Sequence, residues 1–142
     1  MMEIADVRRR VTETIERARR RSQERRARND AATTAFAAFR DTVAIPVCRQ
    51  VASALKAAGY PFIVNTPAGS VQLVSERSSR DYIEVTLETD DDTPSVVGRT
   101  RRTRGQRTVD AERPLRACPI GELTEDDVLT FLLKELEPFI ER

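Results

Sequence analysis

Residues 60–89 read YPFIVNTPAGSVQLVSERSSRDYIEVTLET, and a period of two in this stretch decides the fold. Ile83, Val85 and Leu87 alternate with Tyr82, Glu84, Thr86 and Glu88, so one set faces a core and the other faces water. YPFIVNT, SVQLVSER and DYIEVTLET are three strands separated by PAGS at 67–70 and RSSR at 77–80. DDDTP at 90–94 makes the next turn, SVVGRTRRT from Ser95 makes a fourth strand, and Arg104-Gly105 opens a further hairpin. Connections this short join only antiparallel neighbours, because a parallel pair needs a long crossover. The expected sheet is a meander.

Downstream, Thr124 and Asp127 form a T-x-x-D capping box ahead of an apolar run. Val128, Leu129, Leu132, Leu133, Leu136, Phe139 and Ile140 make a wide helical stripe. Upstream, Ile4, Val7, Val11, Ile15 and Ala18 step by three and four, which places them on one face of a helix. The next positions on that face are Ser22, Arg25 and Asn29, and the apolar stripe ends there. Asn29-Asp30 is read as the N-cap of a new helix. Its stripe of Phe36, Phe39, Val43, Val47, Val51 and Leu55 is expected at a different angle, over helices at 31–45 and 46–58. Pro46 kinks or starts the second of these, and Gly59 stops it. The expected fold class is therefore α+β. An Arg-rich protruding arm and a core helix kinked near Pro46 precede a four- to five-stranded antiparallel meander, and a C-terminal helix packs on the same sheet face. The arm covers 1–29 and a single domain covers 30–142.

The chain has 142 residues and a net charge of +1, but its charge is blocked. Residues 1–59 carry +6, residues 60–97 carry −5, residues 98–116 carry +5 and residues 117–142 carry −5. Such a chain suits self-association or an acidic partner. Arginine supplies most of the positive charge, as bidentate phosphate or carboxylate recognition requires and as an arginine-biased composition also produces. No apolar run approaches the roughly 20 residues that span a bilayer, and the N-terminus shows no apolar h-region, so no secretory signal is expected. With two cysteines and no disulfide framework, the expected setting is the cytoplasm.

Histidine is absent, which removes the commonest general base and the commonest metal ligand. Cys48 lies in an apolar helical stretch and is expected in the core, and Cys118 has no histidine to activate it. Asp90, Asp91 and Asp92 lack the alternating ligand pattern of a calcium loop. The five glycines are too scattered to cradle a phosphate. No catalytic residue, cofactor or metal site is expected, and the chain is not expected to be an enzyme.

What remains is binding. Ile4, Val7, Val11 and Ile15 are the expected protein contacts, making a homo-oligomer or holding a protein partner. Arg17, Arg19, Arg20, Arg21, Arg25, Arg26 and Arg28 surround the helix beyond them, supported by the pairs Glu13–Arg17, Glu16–Arg20 and Glu24–Arg28. The alternative is nucleic acid, with these arginines and Arg99, Arg101, Arg102, Arg104 and Arg107 as phosphate contacts. Against it, no aromatic residue interleaves the arginines for base stacking. On the strands, Glu84 and Glu88 are expected opposite Arg99 and Arg101 as a cross-strand ion-pair ladder. A membrane-surface role is set aside because the stripe has no Trp, Phe or Leu to bury.

Overall fold

The computed structural model describes residues 1–141. The antiparallel meander is present with five strands in the order β1-β2-β3-β4-β5. They are β1 (Phe62–Asn65), β2 (Ser70–Ser75), β3 (Tyr82–Glu88), β4 (Ser95–Arg104) and β5 (Arg107–Pro114). The hairpin expected at Arg104-Gly105 joins β4 to β5. Gly105 there adopts a φ of 64°, a left-handed turn conformation that disfavours a Cβ.

Three helices precede and follow the sheet: α1 (Ile4–Phe39), α2 (Ile45–Ala57) and α3 (Glu125–Ile140). A π-helical turn over Arg40–Ala44 joins α1 directly to α2. Pro46 falls in the first turn of α2, just after the π turn in which the Ile45 N–H bonds the Arg40 carbonyl and shifts the hydrogen-bond register ahead of the residue that lacks an N–H. The helix therefore changes pitch just before the proline instead of breaking at it. At the other end of α2, the Tyr60 N–H donates to the Leu55 carbonyl (2.8 Å) and the Gly59 N–H to the Lys56 carbonyl (3.1 Å). These two bonds form a Schellman stop with Gly59 at a φ of 92°.

Asn29 and Asp30 do not cap a helix; α1 passes through them unbroken. Each costs well under 1 kcal/mol inside a helix, and the Ala- and Arg-rich flanks offset it. Within this continuous helix the Thr33 hydroxyl donates back to the Asn29 carbonyl at 2.8 Å. Continuity also corrects the expected change of face. At 3.6 residues per turn, Val7 and Val11 lie within about 20° of Phe36. The arm's stripe is thus in line with the face by which α1 enters the domain.

Phe36 and Phe39 are the only buried residues of α1. They join Val51 of α2, Leu132 of α3, and Val71, Leu73, Ile83 and Val85 of the sheet in one core. The helices cover a single face of the sheet. On α3 the Thr124 hydroxyl accepts from the Asp127 N–H (3.2 Å), while the Asp127 carboxylate accepts from the Thr124 N–H (2.9 Å). The capping box is complete. The α3 stripe is only partly used: Val128, Leu132 and Leu136 are buried, with Phe131 and Glu135 beside them, whereas Leu129 and Leu133 face outward. Glu135 lies 3.6 Å from Arg113 of β5, which supplies the charge partner a buried carboxylate needs.

Arg40 fastens the π turn to the sheet. It donates through Nε to the Ser70 carbonyl (2.7 Å) and through Nη2 to the carbonyls of Pro67 (3.1 Å) and Thr66 (3.3 Å). One guanidinium thereby binds two carbonyls of the β1–β2 connection and the first carbonyl of β2, and fixes where the long helix meets the domain.

Candidate functional site

Ile4, Val7, Val11 and Ile15 all lie on the solvated part of α1, with 45 to 72% of their surface exposed. Val7, Val11 and Ile15 form a shallow apolar strip with Met2, edged by Arg10 and Thr14. Ile15 stands about 30 Å along the helix from Phe36, the first buried residue. None of the described residues covers this strip.

Arg17, Arg19, Arg20, Arg21, Arg25, Arg26 and Arg28 are all exposed. The ion pairs expected for them do not form. Among the described residues the arm's pairs are Arg9–Asp6 (3.2 Å) and Arg9–Glu13 (4.0 Å). Arg17 instead donates to the Thr14 hydroxyl at 3.3 Å. Long exposed side chains gain little from surface pairing, so this outcome costs the helix only a few tenths of a kcal/mol per pair.

The second basic segment is split. Register puts Glu84 opposite Arg99, as expected, but Tyr82 opposite Arg101 and Ser95 opposite Glu88. Arg99 donates to Glu88 (2.8 Å) and lies 3.4 Å from Glu112, and Arg101 pairs with Asp110 at 2.9 Å. Arg101 also stands 5.8 Å from the Tyr82 ring centroid. Glu84 turns to Gln72 and Ser70. A ladder exists on the open face of the sheet, with a rearranged set of partners contributed largely by β5. The Asp90 N–H, then the Arg99 charge and hydrogen bond, hold the Glu88 carboxyl below its usual range despite partial desolvation. Arg102 alternates to the opposite side of β4, and its Nε is buried without a hydrogen-bond partner among the described residues. Arg104 and Arg107 face each other at the exposed hairpin end. Arg99 and Arg101 thus project from the open face, while α1 joins the domain on the covered face.

A second apolar surface was not anticipated. Val47, Val51 and Leu55 of α2 and Leu129, Leu133 and Leu136 of α3 line a groove of about 520 Å³. Its charged lining residues are both acids, Glu125 and Asp126. The signal for it was the width of the α3 stripe. The six apolar residues from Val128 to Leu136 exceed what one sheet face can cover, and the outer row of Leu129 and Leu133 is left over.

Cys48 is buried, and burial pushes its thiol up to about 12. It is a protonated core side chain at neutral pH. Asp90, Asp91 and Asp92 are exposed. Among the described residues no three His, Cys, Asp or Glu side chains converge where they could hold a metal ion. No helix of the described residues is long and apolar enough to cross a membrane. Compared with known proteins, the chain matches no family model, no curated protein and no solved structure.

Proposed function

We propose that the protein is a non-catalytic oligomerising module of the cytoplasm. It binds a protein partner, in the first place a copy of itself, through Ile4, Val7, Val11 and Ile15. The observation that carries this reading is the exposed stripe on an unbroken helix well beyond the domain. Removing the four side chains from water contributes roughly 1 kcal/mol each at about 25 cal/mol per Å². A preformed helix also loses little further backbone freedom on docking, so more of that gain appears as affinity. The arginines beyond the stripe act as the charged rim that steers association.

Size-exclusion chromatography with light scattering tests this on the full chain and on a chain lacking residues 1–29. The expected result is a mass above one chain that falls to a single chain on deletion. A monomeric full chain would end the proposal.

One observation supports a second reading as a nucleic-acid binder. Arg17 to Arg28 are exposed and form no ion pair among the described residues, so they are available to phosphates. Fluorescence anisotropy with generic DNA and RNA separates the two. Binding that needs the arm and weakens steeply with salt favours phosphates, and its absence at low salt removes them.

A further inference from the structure

We infer that the arm's receiving site is the α2–α3 groove of a second copy of this chain. This deepens the self-association reading and rests on it. The two surfaces match in length: Ile4 to Ile15 and Glu125 to Leu136 each span eleven residues of helix, about 17 Å. They match in form, because anchors at 4, 7, 11 and 15 are the spacing with which a helix fills a groove between two others. They match in charge as well. Arg8 and Arg10 flank the stripe without an ion-pair partner among the described residues, and the groove carries Glu125 and Asp126.

The groove of the same chain is out of reach. α1 and α2 are one continuous helical rod joined by the π turn, and Ile15 lies about 30 Å before the first buried residue. Reaching back would require breaking α1. An arm-to-arm seam is the other option for a second copy. A parallel seam sets Ser22, Arg25 and Asn29 against their own copies and repels itself, and an antiparallel one holds only the short stripe from Ile4 to Ile15. A groove with acidic lining accepts the same stripe without that conflict. Stable interfaces bury about 1,200–2,000 Å², more than one short helix supplies. A two-fold pair in which each arm enters the other's groove doubles the contact and closes the assembly.

The test compares the full chain with Val7→Glu/Val11→Glu and Leu129→Glu/Leu133→Glu, following mass by light scattering and folding by circular dichroism. All four positions are at least 37% exposed, so both variants are expected to keep the wild-type spectrum. The expected result is a pair for the full chain, with Kd raised at least about tenfold in each variant. A pair that survives the α3 substitutions but not the α1 substitutions overturns the groove and leaves the arm reading standing. Survival of the α1 substitutions, or a full chain with the mass of one copy, overturns both.

Discussion

Gly98 shows what a single position demands here. A Cβ at Gly98 would fall inside the Phe131 ring of α3, so β4 and α3 approach closely only because this residue has no side chain. Gly98→Ala is therefore expected to cost about 1–3 kcal/mol through overpacking, measured by urea denaturation. Paired substitution with Phe131→Leu should recover part of that loss. The sequence places Gly98 in a strand but cannot place Phe131 above it, because the contact joins segments distant along the chain. Arg40 was hidden for the same reason. It looks like one more arginine, yet it binds three carbonyls around the β1–β2 connection. Arg40→Met keeps the stem and removes those bonds, with an expected loss of about 2–3 kcal/mol in the same measurement. Cys48, by contrast, was legible, since a small residue among Val47, Val51 and Ala52 has little choice but the core.

At the scale of elements, alternation and capping chemistry carried most of the information. The strand periods from Phe62 to Arg104 and the Thr124–Asp127 box act locally, so neighbours a few residues apart reveal them. Thr124→Ala should accordingly cost about 1 kcal/mol of thermal or urea stability. The break expected at Asn29-Asp30 failed because capping preference is weak against the strong helix formers on either side. The rearranged ladder failed for a different reason: β5 brought Asp110 and Glu112 into competition for Arg99 and Arg101. Its consequence is a pH dependence. The Asp90 N–H and Arg99 lower the folded pKa of Glu88 from 4.5. Folding is then favoured by ionised Glu88 above the unfolded value, and that contribution disappears as pH falls through the lower folded value. The stability gap between wild type and Glu88→Gln should be full near neutrality and shrink as pH falls below the ordinary value of 4.5, measured by urea unfolding across pH.

For the whole molecule, the decisive feature is a long helix of which only the last turn is buried. The stripe of Ile4, Val7, Val11 and Ile15 was visible in the sequence because helical spacing is local. The α2–α3 groove was not, since it exists only once the sheet has chosen which leucines of α3 to cover. In the proposed assembly these two surfaces meet between at least two chains. The most direct test is the solution mass of the full chain at physiological salt, measured by light scattering alongside Val7→Glu/Val11→Glu. A mass of about twice 16.0 kDa for the full chain, falling to a single chain in the variant, is predicted. A single-chain mass for both across the soluble concentration range would contradict it.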